Sequence, residues 1–483
     1  LAVAQALTPY RPVFLALLVV GYTLLAIVPM DPWPVKDAVD TGLGGSPTDS
    51  GGSLTSLFLL SLLALSLVIW IERYPLALHL LARTWPVALT MGWFLASVAW
   101  ADYPMLTFKR TAFLIIGYLI CLGIAGGSSS PWQVLRTVAV CFQVVLVVNL
   151  VSVFVTPAAM TDIGAGGMYG NKNIAGSIAM VGCIITTFVI LYTRSRLFAL
   201  VMGASLLLSL LFLVLTLSKT SIALVALFFV FLLPLAAALS FAQPLGTVMI
   251  LLAGFGVAGF LFTTSLIGWD RADILDFLVG DPTFTGRTDI WDFVWPYITG
   301  SPVLGTGYGS FWDVGEFADP LRNARSWLGE VGYGVINQTH NGYIDLVLQT
   351  GLIGLFGLVL VLGRGIIRSA SAMVRYSSPS RDWAPHAFVF SMLCLMVIYN
   401  LMETALFSRV HEANQFFVLF LALAERWRFP AARSSGPTVT EAPKGPQDPF
   451  LPHQITQPPG RQATTRRPGD DQSAEGRLPS PRR

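Results

Sequence analysis

Residues 337–363 read NQTHNGYIDLVLQTGLIGLFGLVLVLG. The first five positions are polar. From Gly342 onward the stretch is apolar almost throughout, interrupted by Asp345 and Gln349 near its start. An apolar run of about 20 residues matches the hydrocarbon thickness of a bilayer. The stretch therefore predicts a membrane-spanning helix with a histidine–asparagine pair at its mouth. The chain has only five histidines, so His340 is a rare residue in a decisive place.

The rest of the chain agrees. Of its 483 residues, 54% are hydrophobic and only 12% charged, whereas soluble globular proteins carry about 25% charged residues. The four cysteines, Cys121, Cys141, Cys183 and Cys394, lie inside apolar runs without metal-ligand spacing, as buried thiols do. A net charge of +3 is too small to indicate nucleic acid. The first apolar run is long and lacks a small-residue cleavage site, so it reads as a retained helix.

About twelve spans are predicted, near 12–30, 53–72, 85–101, 110–126, 135–156, 173–193, 197–217, 221–242, 245–268, 342–363, 386–405 and 411–426. The fold class is an all-α polytopic membrane bundle. Residues 1–268 hold the first nine spans and 342–428 the last three. Basic residues orient them. Arg73 and Arg83, Arg194 and Arg196, Arg364 through Arg381, and Arg426 onward lie in loops of one parity. That side reads as cytoplasmic, with both termini on it.

Residues 269–341 form the one large outer segment, with ten acidic residues against four arginines. Its ILDFLV and IWDFVW runs read as helical, and its Trp and Tyr content suits a layer at the lipid interface. The tail 429–483 is rich in Pro, Ser, Gln and Arg and reads as disordered in the cytoplasm. No internal repeat of the transporter type is evident.

Basic residues on the outer side run against the charge trend. They are Lys109, Arg110, Lys172, Lys219, Arg287 and Arg409. Any one of them is explained by snorkelling to headgroups. Six at one face point to a shared anionic ligand. Three form a candidate constellation: Lys219 at the start of a span, Arg287 after Gly286 at a helix start, and His340. Cations and helix N-termini suit a phosphate or pyrophosphate, and histidine suits a base for a hydroxyl nucleophile. A lone histidine at a helix mouth is also a common cap, and spacing does not bring the three together. Glu403 is an ionisable residue at membrane depth, with Arg409 or Lys219 as its expected partner. The LGTGYG run lacks the strand and helix of a dinucleotide fingerprint, so its glycines are read as a tight turn against the bundle. DRADILD lacks a calcium-loop pattern and is read as a solvated helix face.

Several motifs carry a resemblance. FTGRTDIW (284–291), SPVLGTGYGSFW (301–312) and THNGYIDLVLQTGLIGL (339–355) stand in series. Upstream, in order, are SVAWADYPMLTFKR (97–110), YGNKNIAG (169–176) and LSKTSIAL (217–224). From about 90 to 420 the chain resembles the O-antigen ligase and polymerase superfamily of bacterial membrane glycosyltransferases, most closely exopolysaccharide polymerases. The resemblance implies a GT-C-like bundle of about 12 transmembrane helices with one large helical periplasmic loop domain. It implies a donor glycan on a polyprenyl (undecaprenyl) diphosphate, used without a cofactor, nucleotide sugar or metal. Arg287 matches the family's diphosphate-contacting arginine and His340 the histidine beside the acceptor hydroxyl. Lys219 stands where many members have arginine, keeping the charge but losing the bidentate fork. Lys172 and Arg110 complete the expected diphosphate set, with Asn341, Asp345 and Glu403 in support; Asn341 and Asp345 are the candidates for orienting His340. The implied setting is the cytoplasmic membrane, with the active site facing the periplasm. Expected partners are the lipid-linked oligosaccharide, an acceptor glycan (another lipid-linked repeat or lipid A core) and membrane lipids, with no nucleic acid.

Three readings remain at this point. A polymerase and a ligase share this chemistry and differ in acceptor. A lipid-linked glycan transporter would place polar groups at the midplane of broken helices, whereas here they gather at outer ends. A non-catalytic assembly subunit would tolerate loss of His340.

Overall fold

Most helices begin where the chain supplies a proline or a polar cap. Pro12, Pro75, Pro86, Pro104, Pro131, Pro244 and Pro385 each stand in a first turn, where a missing N–H costs nothing. Two helices open instead on asparagine. Asn171 Oδ1 accepts from the N–H groups of Asn173 and Ile174 at 2.8 and 3.3 Å. Asn341 Oδ1 accepts from those of Tyr343 and Ile344, both at 3.1 Å. Each cap contributes about 1 kcal/mol, and each adjoins a candidate residue, Lys172 or His340.

The computed structural model describes residues 8–29, 32, 53–269, 273, 274, 277, 286–324, 326–408 and 412–427. Most of DRADILD, two of the four arginines of the outer segment (Arg271 and Arg325), Arg409 and the tail lie outside the described residues.

The helices run in order α1 (Arg11–Ile27), α2 (Ser53–Glu72), α3 (Tyr74–Arg83), α4 (Trp85–Ala96), α5 (Pro104–Gly127) and α6 (Pro131–Val155). Next come α7 (Lys172–Tyr192), α8 (Arg196–Leu215), α9 (Lys219–Phe241) and α10 (Gln243–Leu266). Beyond these lie α11 (Arg287–Gly300), α12 (Gly342–Met373), α13 (Ala384–Met402) and α14 (Glu412–Trp427). A two-residue hairpin, Met160–Thr161 against Gly164–Ala165, joins α6 to α7. The chain is thus an all-α polytopic membrane protein.

Each of the twelve predicted spans falls on one of these helices. Among the described residues, 10 helices are long and apolar enough to cross a membrane. The two shorter ones are α4, whose apolar stretch ends at Ala99 before Pro104 restarts the chain, and α14, 16 residues long and ending in Arg426 and Trp427. The segment expected as a loop around Arg73 and Arg83 contains α3, which buries Ala77 and Leu80. Within α9, residues Phe228–Leu232 widen into a π-helical turn. Pro234 follows, where the absent N–H interrupts the regular ladder.

Burial sorts the bundle into centre and rim. The apolar windows of α7, α13 and α5 are 83%, 72% and 67% buried, against 6% for α10. The first three are therefore central and α10 presents its Leu, Val and Phe side chains outward.

The outer segment is folded, and its helical pattern holds where it is described; ILDFLV lies mostly outside the described residues. IWDFVW lies in α11; beyond it, among the described residues, come 3-10 turns at Glu316–Ala318, Pro320–Asn323 and Trp327–Gly329. A small core of Ile290, Val294, Phe311, Trp312, Leu328 and Ile336 closes on Leu348 of α12. Several tryptophans expected at a lipid interface act inside this segment as donors. Trp291 Nε1 donates to the Thr339 carbonyl at 2.9 Å and Trp327 Nε1 to Asp289 at 2.6 Å.

The helix of the opening stretch is not continuous. Gly351 has φ 66° and ψ −171°, which kinks α12. The glycine loop fills the break. Thr306 and Gly307 donate to the carbonyls of Leu348 and Gln349 at 3.0 and 2.9 Å, and Leu352 donates to Pro302 at 2.9 Å. A side chain on Gly351 would strike the Val303 carbonyl. The tight turn expected of LGTGYG is thus present, and its purpose is to seat the outer segment on a broken helix.

Candidate functional site

Three chain segments converge at the mouth of α12. The first is the start of α11, where Gly286 adopts φ 75° and releases Arg287 into the first turn. The second is the turn 337–341 before α12. The third is the segment leaving α13, where Glu403 turns extended at φ −146°.

Glu403 joins them. Arg287 Nη2 lies 2.8 Å from its Oε1, and His340 Nδ1 lies 2.9 Å from its Oε2. Arg287 Nη1 also donates to the Met402 carbonyl. All three side chains are buried, at 7%, 2% and 5% exposure for Arg287, His340 and Glu403. A buried carboxylate needs such a partner, because an uncompensated charge there costs several kcal/mol. A guanidinium–carboxylate bond is also stronger and more directional than a neutral one.

The backbone supports this arrangement at a cost. His340 has φ 53°, in the left-handed region, which a non-glycine residue adopts only where its surroundings enforce it. Here they do. Thr339 Oγ1 donates to the Asn341 carbonyl at 2.8 Å and Thr339 N–H to Asp345 at 3.2 Å. Asp345 also accepts from Trp312 Nε1 at 2.9 Å and from Gln349. Gln349 Oε1 in turn accepts from the Gly309 N–H at 2.7 Å.

The segment after Glu403 is equally fixed. Asn400 Oδ1 accepts from the N–H groups of Ala405 and Leu406 at 3.2 and 2.9 Å. Asn414 Oδ1 accepts from Phe407 N–H at 2.9 Å, and Tyr308 donates its hydroxyl to the Phe407 carbonyl at 2.9 Å.

The residues expected from sequence therefore divide. Arg287 and His340 meet, through Glu403. Lys219 does not join them: it is exposed at the start of α9. The starts of α7 and α9, which carry Lys172 and Lys219, pack together instead, with Ser218 Oγ donating to Asn173 Oδ1 at 3.4 Å. Lys172 Nζ donates to the Ile163 carbonyl at 3.1 Å. Arg110 is buried and donates to the carbonyls of Gly309, Trp312 and Asp313, the latter two at 2.8 and 2.9 Å. Gly309, at φ 66°, lies where a side chain would press on the Arg110 stem.

Asn341 caps α12 and Asp345 holds the Thr339 and Trp312 N–H groups. Glu403 bonds the His340 ring itself. One expectation needs correction. The sequence offers Arg409 or Lys219 as the partner of Glu403. Arg409 lies outside the described residues and Lys219 makes no contact with it; Arg287 and His340 meet its two oxygens. Sequence reasoning misses Asn400, Asn414, Tyr308 and Trp291 altogether. The run VIYNLMETALF (397–407) does carry a signal, two polar residues three apart in an apolar span.

A cavity of ≈ 220 Å³ lies between α1, α2, α4, α5 and α14. Lys109, Ser408, Asn414 and Gln415 give it a polar lining, and Leu59, Met91, Phe113 and Val418 an apolar one. It touches the segment a few residues past Glu403. Among the described residues no three His, Cys, Asp or Glu side chains are grouped as metal ligands.

Fold and site together define a multi-pass membrane protein with a buried Arg–Glu–His chain at one end of its spans. Residues 179–359 match a family model described as O-antigen ligase. Exopolysaccharide production protein ExoQ of Rhizobium meliloti (strain 1021) is 30% identical over 143 residues. That match covers 29% of this chain and 31% of that relative, so the chain spans about a third of the curated relative it matches. Both findings support a relation to the O-antigen ligase and polymerase family. The matched family region contains Lys219, Arg287 and His340 but ends before Glu403.

Proposed function

We propose that this chain transfers a glycan from a polyprenyl-diphosphate carrier to an acceptor hydroxyl at the outer face of the cytoplasmic membrane, extending surface or exopolysaccharide repeat units. The observation that carries the reading is the bond between His340 Nδ1 and Glu403 Oε2 at 2.9 Å. With Nδ1–H donating to the carboxylate, the lone pair resides on Nε2, the tautomer a general base requires.

In this reading Nε2 takes the acceptor proton as the hydroxyl oxygen attacks the anomeric carbon. The bond from that carbon to the phosphate oxygen breaks, and the diphosphate leaves with its electron pair. Cations then meet the growing negative charge. Arg287 shares the Glu403 carboxylate with His340, and Lys172 and Lys219 stand at two helix N-termini, which favour phosphate. Arg110 is reassigned: with its N–H groups on three loop carbonyls, it holds the glycine loop rather than the donor. The cavity beside Lys109 is the candidate berth for a lipid chain.

The polymerase is favoured over the ligase by the exopolysaccharide relative. The test uses protein in lipid with a polyprenyl-diphosphate oligosaccharide. Glycan lengthening with release of free polyprenyl diphosphate is expected from wild type and not from His340→Ala. Turnover only on addition of lipid A core would make the chain a ligase. No turnover with either acceptor would overturn the enzyme reading.

A further inference from the structure

The opposite end of the bundle carries a second ionic cluster that the glycan chemistry does not use. Arg364 lies roughly 20 residues along α12 from Gly342, about 30 Å of helix. Around it, Arg83, Arg364 and Arg368 converge on a single carboxylate, Glu425. Arg368 Nη1 pairs with Glu425 Oε1. Arg83 Nε lies 3.4 Å from Oε2. Arg364 Nη2 donates to the Arg83 carbonyl at 3.3 Å. Glu425 is buried at 8% exposure. These four side chains, with Ser369 and His386, line a cavity of ≈ 30 Å³.

Charge decides what such a cavity suits. Three guanidiniums against one carboxylate leave a local charge of about +2, on helices α3, α12 and α14, with His386 of α13 facing the same space. Glu425 pairs with two of the arginines but neutralises one positive charge of the three, and the charge left over is self-repelling. A structural clamp between helices would need only one or two of them. A further oxyanion would relieve the repulsion, and guanidiniums bind phosphate through paired N–H groups in one plane. Basic pockets between membrane helices, at headgroup depth, are the usual setting for such binding.

We propose that this cavity binds a phosphate group, either the phosphodiester of an anionic phospholipid or inorganic phosphate from the adjoining aqueous phase. The site stands apart from the glycan site and does not depend on its assignment.

The test uses the full chain in nanodiscs of phosphatidylcholine, alone, with phosphatidylglycerol, or with inorganic phosphate. Phenylglyoxal modification of Arg83, Arg364 and Arg368 is followed by peptide mass spectrometry, with exposed Arg196 as the reference. A ligand filling about two thirds of the sites slows labelling about threefold. Slowing with phosphatidylglycerol alone identifies the lipid, and slowing with inorganic phosphate in phosphatidylcholine identifies the free anion. Equal labelling relative to Arg196 in all three discs overturns the proposal. Arg364→Gln supplies a second reading: the rise in Tm that the effective anion gives wild type should be lost. A rise of the same size in the variant also overturns the site, and the wild-type labelling decides alone if the variant does not fold.

Discussion

His340 Nδ1 and Glu403 Oε2 lie 2.9 Å apart although 63 positions separate them in the chain. One residue opens α12 and the other leaves α13, so the contact exists only because those two helices pack side by side. The carboxylate has two oxygens and uses the other for Arg287 at 2.8 Å. It therefore fixes the imidazole in one orientation while being fixed itself.

Glu403→Gln keeps the shape and removes the charge. In the proposed reaction the imidazolium that forms as His340 takes the proton would lose its counter-charge. Transfer is expected to fall by about 10²- to 10⁴-fold, the usual worth of an oriented base. The measurement is the initial rate of polyprenyl diphosphate release, normalised to protein in the membrane. Wild-type rates from this variant would remove Glu403 from the mechanism.

Arg287→Met tests the other half of the chain. It leaves a buried carboxylate facing an apolar side chain, which costs about 3–5 kcal/mol. Arg287→Met combined with Glu403→Gln removes both charges and is expected to recover much of that loss. Thermal unfolding in detergent distinguishes the cases. Purely additive losses in the double variant would show that the two residues are not coupled.

Much of the frame is legible in the sequence alone, and for a physical reason. A bilayer demands long apolar helices, so spans such as 173–193 and 342–363 announce themselves. The helix start after Gly286 is legible too, whereas the cap made by Asn341 is not, its side chain being read as an orienter of His340. Nor is the site's wiring. Glu403 pairs with Arg287 across 116 positions, and nothing in spacing says which helix ends meet. Lys219 and Arg287 look alike as outer cations, yet one begins a helix that packs on α7 and the other enters the turn at α12. The break at Gly351 is hidden because an apolar pattern continues through it. Arg110 looks like a ligand contact because sequence cannot show that three loop carbonyls already surround its guanidinium.

Gly351→Ala probes that break. Its φ of 66° is strained for any residue with a side chain, and the new methyl meets the Val303 carbonyl. The strain alone costs about 1–3 kcal/mol. The loop carrying Gly305 and Gly307 should then lift from α12, exposing the segment 301–312 to protease while the membrane helices remain protected. Unchanged cleavage there would mean that the loop is held elsewhere.

Lys219→Ala and Arg110→Ala should separate substrate binding from architecture. Lys219 is exposed and makes no hydrogen bond or ion pair with another described residue, so its loss should leave Tm unchanged. If it meets the donor diphosphate, KM for the lipid-linked glycan should rise several-fold, with Lys219→Arg restoring it through retained charge. Arg110 is buried, and its loss strips the carbonyls of Gly309, Trp312 and Asp313 of a charged donor. Hydrogen bonds of that kind are worth about 1.5–3 kcal/mol each. Arg110→Ala should therefore lower Tm and loosen the glycine loop, and Arg110→Lys should restore little, because one ammonium does not reproduce the fork. A Tm drop in Lys219→Ala, or a pure KM effect in Arg110→Ala, would exchange the two assignments.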